Sequence, residues 1–389
     1  MIVAAKKQNT QDTATTQPKY KVDPKAKPKK AKPKKKANRR DLKDPLDVKV
    51  SNEEILKHVN KDLLKFDGDN VKNVRAYAYE MPGFTEQCIE TYVELTGAQR
   101  KSLHKVATPN IDDHQLDPSD FEEKGELTPV ASRIVLKILF LARRCRCDIS
   151  WAVASLAREV TKWTRACDKR LHRLVSYLNT TKDWKLQAFV GNKPKDCQLV
   201  LWADADFAGS LRDSKSTSGA YLMLVGSKTF VPITWLCKKQ AAVSHSSTEA
   251  ELIALDAGLR QEALPILSFW DTICSVFHPE QVSKQYNKQP TGKIVYSEIN
   301  DILSKVDWVP PSLPPHSNLA KLKICEDNDA VLKLCIKGRC PKGRHIARTH
   351  RVNVDFIFST IRDDPCISAR YVNTKYQIAD MFTKAGFTA

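Results

Sequence analysis

The 389-residue sequence has no run of about 18 uncharged apolar residues, so no membrane-spanning helix is expected. No secretory leader is expected, because MIVAAKKQNT meets its lysines before any useful apolar stretch. Without a leader, the 11 cysteines are not read as a disulfide framework, and an intracellular protein with reduced thiols is expected. Acid is in short supply: 45 Asp+Glu stand against 63 Lys+Arg, a net charge of +18. Such a surface suits a polyanion, since Lys and Arg displace counterions condensed on phosphates.

The basic excess is concentrated. Between Lys19 and Arg40 there are twelve Lys/Arg and one acid, Asp23. Proline blocks helix there and the lysines repel one another, so residues 1–45 read as a disordered Lys/Pro-rich arm, a nuclear-import signal or a nucleic-acid tether.

Residues 46–190 read as mainly α-helical. Ile55, Val59, Leu63 and Leu64 sit at helical spacing behind Ser51, a capping residue with Glu54 three positions on. Segments 128–144, 149–163 and 167–179 each carry an apolar stripe, the mark of a packed core. Near residue 197 the period shortens toward two. Residues 198–206, 219–225 and 231–237 read as three antiparallel strands, followed by a helix from Ser247 to Trp270. Lys321–Glu326 reads as a fourth strand, with a short helix from Asn328. Residues 369–372 form a fifth, and 376–384 a last helix. The sum is an α/β unit over 195–389: a mixed five-stranded sheet with flanking helices, interrupted by an irregular insert over 278–318.

Four acids stand where such a sheet would gather them. Asp204 is late on the first strand, Glu251 in the first turns of the long helix, Asp327 at the end of the fourth strand, and Asp380 in the last helix. Phosphodiester hydrolysis needs an attacking water and a departing alkoxide in line, and two Mg²⁺ ions about 3.5–4 Å apart stabilise both. Mg²⁺ takes hard oxygen ligands and keeps several waters, so a few carboxylates on a rigid sheet edge suit it. Taken singly, each acid has a plainer role. A strand-end acid forms turns, Glu249 and Glu251 complement a helix dipole behind a Ser246 or Thr248 cap, and Asp380 decorates a helix surface.

The strings WADADFAGS, DSKSTSGAYLMLVG, ITWLCKKQAAVSHSSTEAELIAL, CEDND, RTHRVNVDFI and YVNTKYQIADMFTKAGF occur in this order over residues 199–389. They resemble the ribonuclease H domain that ends the Pol polyprotein of copia-type retrotransposons. Residues 128–183 resemble the connection segment of the same polyproteins. The resemblance implies a ribonuclease H-like fold and a two-metal endonuclease that cuts the RNA strand of RNA–DNA hybrids. Asp204, Glu251, Asp327 and Asp380 would then be the catalytic metal ligands, holding two Mg²⁺ or, as a substitute, Mn²⁺. In that pattern Asp204 bridges both ions, Asp380 holds the water-activating one, and Glu251 and Asp327 hold the other. Asp206 is the second acid of its string and the alternative ligand if the register differs. His345 and His350 are candidates for a histidine that aids product release. Lys238, Lys239 and Arg260 flank the expected cleft as candidate phosphate contacts. The rest of a Pol polyprotein is an implied partner, and a cytoplasmic particle or the nucleus the implied location.

The sequence departs from that pattern in places. No Tyr-x-Asp-Asp polymerase hairpin is present, the nearest string being Asn110-Ile111-Asp112-Asp113, so DNA synthesis is not expected. Arg351 and Asn353 stand where the family usually has His and Asp. A nucleic-acid-binding remnant without activity is therefore the second reading, and a transposase or integrase, which shares the fold and metals, a third. Cys335, Cys340, His345 and His350 have the spacing C-x4-C-x4-H-x4-H, suggestive of zinc. Cys335 shares an apolar helix side with Val331 and Leu332, which favours packing instead.

Overall fold

The helices of the N-terminal part are amphipathic and bury one stripe each. The computed structural model describes residues 74–111, 113–210, 212–278 and 318–384, all within one compact unit. The expected arm over 1–45, the stripe at 55–64 and nearly all of the 278–318 insert lie outside those residues. After strand β1 (Arg75–Tyr79) come α1 (Pro82–Thr96), α2 (Ala131–Arg144), α3 (Ser150–Arg158) and α4 (Arg165–Thr180). Ile134, Ile138 and Leu141 of α2 meet Ile89, Val153, Leu156, Leu171 and Leu174 in a core of their own. Buried Arg146 ties this layer together, with Nη2 2.7 Å from Asp148 and Nη1 donating to the Thr181 carbonyl at 3.0 Å.

Strand β2 (Leu186–Val190) is followed by β3 (Gln198–Ala205), β4 (Thr217–Gly226) and β5 (Thr229–Lys239). Next come α5 (Ser247–Ala257), α6 (Leu264–Phe277), β6 (Leu322–Glu326) and α7 (Asp329–Lys337). The chain continues with the single turn α8 (Ile346–Thr349), α9 (Val354–Asp363) and β7 (Ile367–Tyr371). The sheet has seven strands in the order β1-β2-β5-β4-β3-β6-β7. It is mixed, because β3 pairs antiparallel with β4 but parallel with β6, and β6 parallel with β7. Strands β3 and β4 are buried along nearly their whole length, which is why their sequences read as continuous apolar runs. One face, with Leu199, Leu201 and Leu222, packs on α5, α7 and α9; the other, with Val200, Trp202, Tyr221 and Met223, packs on the C-terminal turns.

Three expectations change. The sheet has seven strands instead of five, because 75–79 and 186–190, read as helical, form an antiparallel pair that joins β5 at Phe189–Phe230. All five β1 residues are exposed, so no apolar alternation announces the strand, and its ladder with β2 holds it. The helix read over 247–270 continues to Phe277 but is not uniform: a π-helical turn, Gly258–Ala263, divides α5 from α6. Pro265, one residue into α6, has no N–H to return to the preceding turn. The last helix read at 376–384 is instead two 3₁₀ turns, Thr374–Tyr376 and Ile378–Phe382. Side-chain ties at both ends of the second turn, described below, hold it against β3 and β4.

Candidate metal centre

Parallel pairing of β3 with β6 sets the site. Trp202 stands opposite Cys325, so Asp204 and Asp327, each two residues on, leave the sheet at the same level. Helix α5 starts with Ser246 capping the Glu249 N–H at 3.2 Å and carries Glu251 one turn further in. One carboxylate oxygen from each of Asp204, Glu251 and Asp327 lies within 4.8 Å of the others. Asp204 is 3% and Glu251 7% exposed, so these charges face one another with little water between them.

Asp380 arrives by a different route. Gln377 donates from Nε2 to the Ala203 carbonyl at 2.8 Å, and Thr383 donates its hydroxyl to Asp204 Oδ2. The turn between them passes over Gly219, the partner of Asp204 on β4. A Cβ at Gly219 would meet Thr383 Cγ2 at 2.7 Å and the Ala379 carbonyl oxygen at 2.9 Å. Asp380 is thereby held beside Asp204, outside the group of three. Lys384 Nζ lies 2.7 Å from its Oδ2, while Oδ1 is buried and without a partner.

The electrostatics follow from burial of like charges. Burial pushes the Asp204 carboxyl up to about 7, the Thr383 hydroxyl opposing and the Asp380 charge adding to the rise. Glu251 is pushed up to about 10, by burial first and then by Glu326, Asp204 and Asp327. Glu326, fully buried beside Asp327, is raised well above the usual carboxylate range by burial, with the Asn328 N–H opposing. Its Oε2, like Oε2 of Glu251, has no hydrogen-bond partner. A cluster of desolvated oxygens with unfilled lone pairs, and no nitrogen or sulfur among them, fits a hard divalent cation. Asp204, Glu251 and Asp327 could hold it, with Asp380 at the rim.

The other candidates fall elsewhere. Asp206 turns back to accept the Thr217 N–H, and burial raises it to about 6. His345 and His350 gather instead on Glu249, with Nε2 atoms 3.1 and 3.2 Å from its two oxygens. His245 stacks edge-on against His345, ring centroids 5.1 Å apart. Cys335 is buried in the core under α7, so the cysteine–histidine spacing does not converge on one point among the described residues. Lys238 and Lys239 line a groove beside β5, whereas Arg260 lies 3.4 Å from Asp256 on its own helix. Thr383, Gln377, Lys384 and Glu326 were not singled out from the sequence. Thr383 and Lys384 stand within DMFTKAGF, and Glu326 within CEDND, with no local pattern that marks them apart from their neighbours.

The chain is similar to known proteins over part of its length. A protein named secreted RxLR effector protein 161, from Plasmopara viticola, is 31% identical over 124 residues, 32% of this chain and 82% of that protein. The Pol polyprotein of transposon RE2 from Arabidopsis thaliana is 38% identical over 106 residues, 27% of this chain and 7% of the polyprotein. That of transposon TNT 1-94 from Nicotiana tabacum is 31% identical over 172 residues, 42% and 12% of the two chains. Over parts of its length the chain is thus similar to retrotransposon Pol polyproteins. This Pol-related chain thus spans most of the first relative but a small part of the polyproteins it matches. No family model and no solved structure matches it. No helix among its described residues is long and apolar enough to cross a membrane.

Proposed function

We propose that this Pol-related chain is a ribonuclease H: a two-metal endonuclease that hydrolyses the RNA strand of RNA–DNA hybrids. The observation that carries the reading is the convergence of Asp204, Glu251 and Asp327 oxygens within 4.8 Å at one end of a mixed sheet, with Asp380 beside them. The donor set suits Mg²⁺, with Mn²⁺ as a substitute. Asp204, lying between Asp380 and the Glu251–Asp327 pair, is the residue two ions would share. Glu251 and Asp327 would hold one ion and Asp380 the other. Bound there, the ions supply charge stabilisation at the attacking and departing oxygens.

The chain's own residues prepare that chemistry. The Thr383 hydroxyl fixes the Asp204 carboxylate through Oδ2. Lys384 holds Asp380 by Oδ2 and leaves Oδ1 unpartnered. Burial favours the protonated carboxyls of Asp204 and Glu251 when no cation is near, so binding a cation would release protons. Preference for a hybrid would come from 2′-hydroxyl contacts across the wide minor groove and phosphate contacts on the DNA strand. The Lys/Pro-rich arm would add sequence-independent affinity, and the remainder of a Pol polyprotein is the natural companion in an intracellular particle or the nucleus.

The test is an end-labelled RNA–DNA hybrid incubated with the full chain and Mg²⁺ or Mn²⁺, beside the Asp204→Asn variant. Cutting confined to the RNA strand, slowed at least about a hundredfold in the variant, is expected if the ions supply several kcal/mol. Hybrid binding without cutting under either metal would replace this reading with that of an inactive binding remnant.

A further inference from the structure

Strand β5 pairs with β4 along its whole length but with β2 only at Phe230, so from Val231 onward one backbone edge has no strand beside it among the described residues. Beside that edge, between the ends of α2 and α3 and the strand, runs a groove of about 1020 Å³. Its floor is fixed, because Trp235 donates its indole N–H to the Ala142 carbonyl at 3.1 Å.

The lining is strongly basic. Arg143 and Arg144 close α2, Arg158 closes α3, and Lys238 and Lys239 end β5, against one carboxylate, Glu262. Glu262 is engaged by the Thr234 hydroxyl at 2.8 Å. Lys239 is occupied by Asp213 at 2.7 Å, and Arg144 stacks over Phe140 at 5.2 Å. Arg143, Arg158 and Lys238 have no ion pair or hydrogen bond among the described residues. Arg143, Arg158 and Lys238 leave the channel with a cationic excess, offset only at Arg158 by the nearby charges of Asp206, Asp213 and Glu159. Tyr79, 47% exposed at the groove, offers an aromatic face. Cations with an aromatic platform suit a strand of phosphates whose bases stack, and backbone N–H groups of a free edge can donate to phosphate oxygens.

Position matters as much as charge. Cys237, Gly219 and Asp204 lie in line across β5, β4 and β3. The groove therefore ends two strand spacings, about 10 Å, from the carboxylates, a separation that one duplex can span.

We propose that this groove is a phosphate track for one nucleic-acid strand, formed jointly by the helical layer and the sheet edge, which leads the duplex to the carboxylate end. The choice of duplex rests on the nuclease reading; the track itself does not. Successive phosphates supply the anionic partners that Arg143 and Lys238 lack among the described residues, and add to the carboxylates near Arg158.

The experiment is fluorescence anisotropy of a labelled RNA–DNA hybrid with the full chain in EDTA, titrated over a range of salt. Arg143→Glu with Arg158→Glu should weaken binding at least about tenfold and flatten the log–log salt slope by about two, one per phosphate contact. Lys101→Glu with Arg133→Glu removes the same charge from exposed positions outside the groove and sets the baseline. If the acidic pair fails to fold by circular dichroism, Arg143→Gln with Arg158→Gln should give a smaller loss in the same direction. Equal losses in groove and control pairs would overturn the proposal, even if the protein cuts hybrids. Polyglutamate of matched charge displacing the hybrid as well as unlabelled hybrid does would overturn it too. Groove-dependent binding without cleavage would uphold the track and sink the nuclease reading alone.

Discussion

Thr383 donates its hydroxyl to Asp204 across 179 residues of sequence, and this contact ties the end of the chain to the middle of the sheet. It favours the ionised form of Asp204 against the burial that opposes it. Thr383→Val keeps the shape and removes the donor. Asp204 should then hold its proton to higher pH, and Mg²⁺ affinity at neutral pH should fall about tenfold, given about 1.5–3 kcal/mol for a hydrogen bond to a charged group. Thr383→Ser should restore it. Titration calorimetry at several pH values reads both; an unchanged pH dependence in the valine variant would refute the role.

Without a divalent cation, stability should fall as pH rises. The Asp204 carboxyl moves from an ordinary 3.8 to about 7 and Glu251 from 4.5 to about 10, so the folded state binds protons that the unfolded chain has released. The sign is therefore the reverse of the usual carboxylate case. Stability is fullest below the ordinary values and is lost through the windows 3.8–7 and 4.5–10. In EDTA, Tm should drop between pH 5 and pH 9. Mg²⁺ at pH 8 should recover about 5 °C or more of it. Asp204→Asn combined with Glu251→Gln should flatten the metal-free profile. A Tm that climbs with pH in EDTA would contradict the arrangement.

Gly219→Ala should release the C-terminal turn. Its Cβ would sit 2.9 Å from the Ala379 carbonyl oxygen and 3.0 Å from Phe382 Cβ, so the turn has to move. We expect a loss of about 1–3 kcal/mol by denaturant titration, with cleavage lost more than proportionately because Asp380 rides on that turn. Gly83→Ala, where a Cβ meets nothing within 4 Å, should be neutral or slightly stabilising.

Glu326→Gln should make the metal-free protein more stable at pH 8. Glu326 is fully exposed to neither water nor a cationic partner; it is 0% exposed, and its charge raises the Glu251 carboxyl. Removing that charge should bring the Glu251 titration down, as followed by carboxylate NMR. A Glu251 titration that stays put would show that burial alone sets it.

Much of this molecule is legible in its amino acids. Strands β3 and β4 announce themselves in QLVLWADA and TSGAYLMLVG because burial of both faces demands unbroken apolar runs, and β5 in TFVPITWLCKK through its β-branched and aromatic residues. Helix α2 is legible because Ile134, Ile138 and Leu141 repeat at helical spacing. Strand β1 is not, since RAYAY is exposed along its whole length and is held by backbone pairing that any sequence could make. The 3₁₀ turn Ile378–Phe382 is not, since the ties at Gln377 and Thr383, and not local propensity, shape it.

The sequence by itself determined which chemistry was within reach: four acids in separate, recognisable settings, a basic balance, and apolar patterns that make a sheet with helices. Only the tertiary structure decided which oxygens meet. Parallel register levels Asp204 with Asp327, α5 brings Glu251 in, and a glycine at 219 lets the last turn carry Asp380 close. The physical reason is that charge repulsion among carboxylates is decided by ångström-scale separations, and these depend on strand register and backbone approach between residues that share no local sequence.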